Sequence, residues 1–195
     1  RQLQKNIREH IDSVLTLYLQ SKQGGLLMKS IAEQLAFYQA YHRNRWNVAT
    51  HFVGIPSIII GLLVPMGWVR AEISTITISG ALVFVAAIAV YYLLLDVRLA
   101  LSILVFIAPA FYAADTIAQL PWTSSLLWFL LLFIGGWIFQ LIGHSVFEKR
   151  KPAFVDNLIQ LLIGPLFLVA EVVFFLGLRK QLQEDMKQYP SPFPE

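Results

Sequence analysis

The alternation of polar and apolar stretches divides the chain into a polar N-terminal part and a series of apolar spans. In residues 1–50, apolar side chains recur every three or four positions, first from Leu3 and Ile7 onward and again after Gly24-Gly25. This period is typical of amphipathic helices, which lie on a membrane surface or pack against a partner subunit. A solvated helical hairpin docked on the rest of the protein explains the same pattern, and both interpretations stay open.

Five apolar spans follow this N-terminal part. A helix needs about 20 residues, with a range of about 17–25, to cross the hydrocarbon core of a bilayer. The second and fourth spans exceed that length, and the first and third are marginal. The fifth is long enough but contains the helix breaker Gly164-Pro165 and the carboxylate of Glu171. In chain order, the spans cover residues 52–69, 73–95, 99–114, 125–147 and 157–178.

Basic residues between the spans predict which loops face the cytosol, because Lys and Arg are enriched there. A cytosolic N-terminus fits the first four spans, but it leaves Arg179, Lys180 and Lys187 outside if the fifth span crosses. A re-entrant hairpin that turns at Gly164-Pro165 removes this conflict, provided that protein covers the broken backbone. The predicted fold is therefore all-α. It is a multi-pass transmembrane helical bundle with four crossings and a re-entrant helical hairpin, preceded by N-terminal amphipathic helices.

Composition supports a membrane protein and narrows the possible chemistry. Of the 195 residues, 57% are hydrophobic and 14% are charged, whereas soluble domains carry about 25% charged residues. Such a chain is not disordered, a coiled coil or a nucleic-acid module. The formal charge of +3 comes from clusters that indicate membrane topology, so we expect no nucleic-acid partner. There are no cysteines, and any metal ion must therefore bind nitrogen and oxygen ligands.

Three of the four histidines lie at the predicted membrane boundary. His42 and His51 flank the start of the first span, and His144 lies near the end of the fourth. Four crossings bring all three, together with Glu148, to the cytosolic side of the bilayer. Gln140, His144 and Glu148 follow one another at intervals of four residues, so they share one helix face. That face points into the bundle, because exposing charge to lipid is costly.

The spacing of His42 and His51 sets a condition for a shared metal ion. Nine residues correspond to about 180° on a continuous helix, so both can face one ion only if the helix breaks between them. Arg43-Asn44-Arg45 is the candidate break, and Asn47 lies where it can orient the His51 imidazole. Three neutral imidazoles and a carboxylate suit Fe, Zn, Cu or Mn, and two histidines with a carboxylate suit non-haem Fe(II) and O2. Alternatively, each histidine only caps a helix or sits at the interface as an amphipathic ring.

Two sequence motifs carry a resemblance to a known family. Residues 41–56 read YHxxxxNxxxHxxGxP, and residues 140–153 read QxxGHxxxExxxPA. Further matches downstream are Pro165, Phe167, Glu171 and Gly177. Over roughly residues 30–178, this pattern resembles the membrane 2-hydroxy fatty acid dioxygenase family, which acts in fatty acid alpha-oxidation during phytosphingosine breakdown. We take residues 1–29 as an N-terminal amphipathic extension, residues 30–178 as the dioxygenase-like domain and residues 179–195 as a basic, then Pro-rich tail.

The resemblance implies an Fe(II)-dependent enzyme that needs no 2-oxoglutarate. Such an enzyme uses O2 to shorten a 2-hydroxy fatty acid by one carbon, giving the odd-chain acid and CO2. The resemblance assigns the metal to His42, His51 and His144, with Glu148 as a further ligand or as a nearby catalytic base. Weaker candidates, which support the ligands or contact the substrate, are Asn47, Gln140 and Glu171.

The expected partners are a 2-hydroxy fatty acid, O2 and membrane lipid, and the N-terminal helices offer a surface for oligomers. The host membrane is a bacterial inner membrane or the endoplasmic reticulum, with the metal site near the cytosolic face. Two other functions stay open. One is a different membrane non-haem metalloenzyme acting on lipids, of the hydroxylase or desaturase type, which usually needs more histidines for two irons. The other is a non-enzymatic membrane protein that binds metal or lipid, which predicts no O2 uptake.

Overall fold

The computed structural model describes residues 29–193, and we describe the compact unit that begins at Ile31. The predicted amphipathic extension at residues 1–29 lies outside the described residues except for its last position. The described chain is mainly helical, with one short β-hairpin. In order, its elements are α1 (Ile31–Ala40), α2 (Arg45–Trp68), β1 (Arg70–Ile73), β2 (Ile76–Ser79), α3 (Gly80–Leu95), α4 (Val97–Ala118), α5 (Trp122–Ile142), a π-helical turn (Gly143–Glu148), a 3-10 turn (Ala153–Val155), α6 (Gln160–Phe175) and α7 (Lys180–Met186).

The helix break that a shared histidine site requires is present between α1 and α2. Helix α1 ends at Ala40, and the side chain of Asn44 then caps α2 by accepting a hydrogen bond from the backbone N–H of Trp46, at 2.8 Å. Asparagine is among the preferred N-cap residues, because its side-chain oxygen satisfies an N–H group that has no partner within the helix. The predicted break at Arg43-Asn44-Arg45 is confirmed, and His42 and His51 belong to separate segments.

Three helical segments are long and apolar enough to cross a membrane: Arg45–Trp68, Val97–Ala118 and Trp122–Glu148. This confirms a helical membrane protein and corrects two predicted lengths. The third span, predicted to be short, is a helix of 22 residues whose first turn is capped by Asp96. The second span, predicted to be long, yields a helix of only 16 residues, because its first part forms the β-hairpin.

The hairpin of β1 and β2 is an exception to the predicted all-α fold. Its strands pair antiparallel, with Arg70 opposite Ser79 and Ile73 opposite Ile76. β-branched residues dominate β2, and such residues favour extended backbone. Ser74 adopts the left-handed conformation, φ 57°, that the tight two-residue turn needs.

Helix α6 continues through Gly164-Pro165, so the predicted turn at these residues does not occur. Pro165 is the sixth residue of this helix, so it lacks the N–H that would bond to the carbonyl of Leu161, and the helix continues despite that loss. Gly164 allows close packing, since a Cβ atom there would lie 3.0 Å from the Tyr38 hydroxyl. Just beyond α6, Arg179 forms an ion pair with Asp96, with Nη2 and Oδ2 2.7 Å apart.

The long helices define two ends of the bundle. At one end, Asn47 of α2 donates to the Glu148 carboxylate that follows α5; we call this the site end. At the other, the hairpin end, Trp68 donates to Ser125, at 2.8 Å. Arg70 on the hairpin pairs there with Asp115, near the end of α4. Among the described basic residues, those gathered at the site end are Arg43, Arg45, Arg98, Lys149, Arg150, Lys151, Arg179, Lys180 and Lys187.

The tail that the sequence analysis placed at residues 179–195 begins with α7 and then contacts the site end. The guanidinium group of Arg43 donates to the hydroxyl of Ser191, at 3.0 Å. The guanidinium carbon of Arg150 lies 4.2 Å from the ring centre of Phe193, which also packs on Tyr41. These contacts hold residues 189–193 against the loops that carry the predicted site.

Candidate metal centre

Three imidazoles meet inside the site end. One ring nitrogen from each of His42, His51 and His144 lies within 4.8 Å of the other two. Each residue is 3% exposed or less, and the ring centres are 4.5–4.9 Å apart. No other group of three His, Cys, Asp or Glu side chains within residues 29–193 meets the same criterion. The structure thus brings together the three histidines that the sequence singled out.

Two of the rings are oriented by backbone carbonyls. Nδ1 of His42 donates to the carbonyl of Tyr38, at 2.7 Å, and Nδ1 of His51 donates to the carbonyl of Asn47, at 2.8 Å. Because a carbonyl can only accept, each Nδ1 carries the proton and each Nε2 keeps a lone pair in the neutral ring. The phenol ring of Tyr38 stacks on the His42 ring, with their centres 4.0 Å apart, and fixes its plane.

The two Nε2 atoms of His42 and His51 point at each other, 3.0 Å apart. Two nitrogen lone pairs at this distance repel unless a proton or a cation interacts with both of them. Burial lowers the pKa of His42 well below its usual range, and the neighbouring His51 lowers this pKa further. His42 is therefore neutral at physiological pH, which is the form that binds metals. This donor set fits a metal ion that prefers imidazole nitrogen.

His144 reaches the cluster from the π-helical turn that extends α5. π-helical turns are rare and are frequent at functional sites. The left-handed Lys149, φ 54°, ends the turn, and the backbone N–H of Arg150 closes it on the carbonyl of His144. Nδ1 of His144 is buried and has no hydrogen-bond partner among the described residues. Such an atom is costly to leave unpaired, and coordination to a metal ion would satisfy it.

Glu148 lies outside the three-histidine group and connects the loops around it. Its carboxylate accepts hydrogen bonds from the backbone N–H groups of Arg43 and Asn44, at 3.1 and 2.9 Å, and from Nδ2 of Asn47, at 3.0 Å. Asn47 also provides the carbonyl that orients His51. Glu148 therefore joins the end of α5 to the start of α2 and supports the segment that carries His51.

A narrow cleft opens on the histidines from the apolar interior, and we call it the histidine cleft. Its polar lining beyond the three imidazoles comprises Tyr38, Gln140 and Gln160. Apolar residues dominate the rest of the lining: Ile55, Ile58, Ile59, Trp137, Phe154, Leu161 and Pro165. Gln140, a weak candidate from the sequence, therefore lies beside the imidazoles.

A wider polar cleft lies on the other side of His42, and we call it the outer cleft. Glu171 lines the outer cleft together with Arg43 and Lys187, so the structure places it away from His51 and His144. Tyr38 and Gln160 also line the site, although their positions in the sequence did not predict it. Gln160 could have been identified as a candidate, because it is an uncharged polar side chain within a predicted apolar span. The role of Tyr38 depends on ring stacking, which residue spacing alone does not indicate.

The fold and the histidine cluster define a helical membrane protein with a buried imidazole site. Residues 28–176 match the family model described as 2-hydroxy-palmitic acid dioxygenase Mpo1-like, so the chain belongs to this family, as its motifs predicted. It is 33% identical over 164 residues to the Saccharomyces cerevisiae protein named 2-hydroxy-palmitic acid dioxygenase MPO1. That alignment covers 84% of this chain and 90% of the yeast protein. No solved structure matches the chain.

Proposed function

We propose that this protein is an Fe(II)-dependent dioxygenase that shortens 2-hydroxy fatty acids by one carbon. The overall reaction balances as a 2-hydroxy acid plus O2 giving the acid one carbon shorter, CO2 and water. The observation that carries the proposal is the cluster of three buried imidazoles at the end of an apolar cleft. Membership of a family whose yeast relative is named a 2-hydroxy-palmitic acid dioxygenase supports it.

We assign the metal to His42, His51 and His144. When bound there, Fe(II) supplies the redox chemistry that O2 requires. The protein's part is to present three neutral imidazoles, exclude water from them and fix the ring planes through the carbonyls of Tyr38 and Asn47. Imidazoles that are oriented in advance bind metal more tightly, because less freedom is lost on binding.

Glu148 is proposed as a positioning residue rather than a ligand. Its two oxygens already accept hydrogen bonds from three N–H groups, which hold the carboxylate between the loops, and it does not belong to the group of side chains close enough to share one ion. Asn47 belongs to the same support, whereas Gln140 contacts the substrate from the wall of the histidine cleft. Glu171 faces the outer cleft, where we assign it no role in the chemistry.

For topology, we propose that α2, α3, α4 and α5 cross the bilayer and that α6 does not. The Asp96–Arg179 ion pair supports this, because it ties the residue after α6 to the loop before α4. The concentration of Lys and Arg at the site end favours a cytosolic location for that end. We further propose that the host membrane is a bacterial inner membrane or the endoplasmic reticulum, and that oligomers form through the N-terminal segment of residues 1–29.

The test is to load the purified protein with Fe(II) without air and then add 2-hydroxypalmitate and O2. We expect pentadecanoate, CO2 and one iron per chain. His51→Ala should abolish product and most iron binding, whereas His10→Ala, the matched control, should retain both. Two irons per chain would favour a hydroxylase or desaturase type of enzyme. No O2 uptake with any 2-hydroxy acid would contradict the dioxygenase proposal and favour a binding protein.

A further inference from the structure

Gln160, the first residue of α6, is a buried polar side chain that the proposed chemistry leaves unused. It is 1% exposed, and its Nε2 donates to Oε1 of Gln34 on α1, at 2.8 Å. The other amide atom, Oε1 of Gln160, is buried and has no hydrogen-bond partner among the described residues. A buried acceptor without a donor costs stability, and native proteins rarely keep one without a reason.

The surroundings of Gln160 indicate what kind of donor this oxygen meets. Gln160 lines the histidine cleft together with the three imidazoles, and apolar side chains dominate the remaining wall. The cleft has a volume of about 80 Å³. At roughly 10–15 Å³ for each enclosed water-sized group, it holds on the order of five to eight such groups. It therefore encloses the head group and the first carbons of a fatty acid, and the rest of the chain must extend beyond it.

We propose that Gln160 determines specificity by accepting a hydrogen bond from the 2-hydroxyl group of the substrate through its Oε1 atom. This inference rests on the proposed function and adds the residue that distinguishes a 2-hydroxy acid from an ordinary fatty acid. The substrate hydroxyl has one proton to donate and keeps lone pairs for another partner. A fatty acid without the hydroxyl leaves the Gln160 oxygen desolvated and unpaired, and such a penalty gives stronger discrimination than apolar contacts do.

Gln34 acts as the positioning residue for this contact. Its Oε1 atom can only accept, so it holds the amide of Gln160 with Nε2 toward α1 and leaves Oε1 for the ligand. The phenol of Tyr38 lines the same cleft as Gln160. A phenol and a glutamine oxygen together offer one donor and one acceptor beside the imidazoles. A 2-hydroxy acid has the complementary pair, a carboxylate that accepts and a hydroxyl that donates.

The experiment measures binding to protein loaded with Zn²⁺, which imidazoles also bind and which has no redox chemistry. The probes are 2-hydroxypalmitate and 2-fluoropalmitate, because fluorine is close to a hydroxyl in size and cannot donate a hydrogen bond. We expect the wild-type protein to prefer the hydroxy acid by about 5- to 150-fold. Gln160→Met, which keeps length and loses the acceptor, should bring this ratio close to 1. Gln119→Met, at the hairpin end, should keep the wild-type ratio.

A Gln160→Met protein with the wild-type ratio would overturn the assignment. So would a wild-type protein that binds the two acids equally, and this comparison needs no variant if Gln160→Met fails to fold. If the Fe(II)-loaded wild type forms pentadecanoate, the proposed dioxygenase function stands, even when the assignment of Gln160 is overturned. A wild-type protein that binds neither Zn²⁺ nor either acid would refute both.

Discussion

The two ends of the bundle are built from the same apolar helices but differ in what they bury. At the site end, imidazoles and amides are enclosed, and several of their atoms have no ordinary hydrogen-bond partner among the described residues. At the hairpin end, the polar groups form familiar pairs, such as Trp68 with Ser125 and Arg70 with Asp115. The β-hairpin there exposes Ile73 and Ile76.

The two ends show how buried polar groups that stabilise the fold differ from buried polar groups that bind a ligand. A polar residue that serves only the fold ends up paired, because an unpaired buried group reduces stability. At the site end, Oδ1 of Asn47, Nδ1 of His144 and Oε1 of Gln160 are buried without such pairing among the described residues, and the last two line the histidine cleft through their side chains. Buried polar atoms without a hydrogen-bond partner are expected where a ligand supplies the missing partner. Substitutions at the site end should therefore affect ligand binding as well as stability.

The largest expected difference between the two ends is the side of the membrane that they face. The chain has no cysteine, so single cysteines can be introduced without background. In Lys187→Cys and Thr75→Cys, both at exposed positions, a membrane-impermeant thiol reagent should label the two variants from opposite sides. Lys187→Cys should react only from the cytosolic side. Labelling of both variants from one side would contradict the proposal that α2, α3, α4 and α5 cross the bilayer and that α6 does not.

Two glycines in the last membrane-length segment test close packing at the site end. A Cβ atom at Gly143 would collide with Thr50 Oγ1 and Asn47 Oδ1, whereas one at Gly135 meets nothing within 4 Å. Gly143→Ala should cost about 1–3 kcal/mol of unfolding free energy, the usual cost of overpacking, and should weaken metal binding by displacing Asn47. Gly135→Ala should be neutral or slightly stabilising, because alanine is the better helix former. Unfolding in denaturant and metal titration provide the two readouts, and equal effects from both variants would contradict the packing.

Glu148 and Glu72 allow a matched test of the carboxylates at the two ends. Glu148→Gln keeps the shape of the side chain but removes its charge from three N–H donors. Loss of a residue that supports the metal ligands without touching the metal typically reduces metal affinity by about 10–100-fold. Glu72→Gln, on the exposed hairpin strand, should change metal affinity by less than twofold. Complete loss of metal binding in Glu148→Gln would indicate that Glu148 is itself a ligand.

The smallest expected difference between matched variants at the two ends concerns their ion pairs. Asp96 receives two hydrogen bonds from Arg179, at 2.8 and 2.7 Å, whereas Asp115 receives one side-chain bond from Arg70. Asp96→Asn keeps a good helix cap and should cost about 1–3 kcal/mol, whereas Asp115→Asn should cost under about 1 kcal/mol. Unfolding experiments measure both costs, and equal losses of unfolding free energy in Asp96→Asn and Asp115→Asn would contradict the expected difference between the two ion pairs.

The pH dependence of the Asp96 pair has a definite sign. Hydrogen bonds from the Arg179 guanidinium hold the pKa of Asp96 below its usual range. Since the pKa is lowered in the folded state, the stabilisation is complete above the ordinary aspartate pKa of about 3.9. It is lost as the pH falls through the lowered value. The difference in unfolding free energy between wild type and Asp96→Asn should therefore shrink below about pH 4.

Much of the site could be predicted because its residues lie at helix-related intervals. The spacing of His144 and Glu148 placed them on one face, and the spacing of His42 and His51 required the break that Asn44 provides. The π-helical turn could not be predicted from this spacing, since residues four apart stay close in an α-helix and in a π-helix alike. Gln160 and Gln34 come together only through the tertiary packing of α6 on α1, which no local pattern encodes.

The errors in the predicted fold likewise arise because local sequence patterns do not encode tertiary packing. The residues of the β-hairpin are apolar enough to extend a predicted span, and hydropathy does not distinguish a strand from a helix end. The run of Ile and Thr before Gly80 contained the missing signal, because β-branched residues alternate there as they do in strands. For Gly164-Pro165, a local helix-breaking pair predicts a turn, whereas α6 continues through both residues and packs Gly164 closely against Tyr38.

The orientation of the His42 and His51 rings by backbone carbonyls has a consequence for how this sequence can diverge. A side-chain partner can be lost through a single nucleotide change, but the carbonyls of Tyr38 and Asn47 persist whatever side chain occupies those positions. Substitutions at positions 38 and 47 therefore leave in place the carbonyl groups that orient these two rings. Substitutions elsewhere along α1 and α2 keep the orientation of both rings as long as the main chain follows the same course.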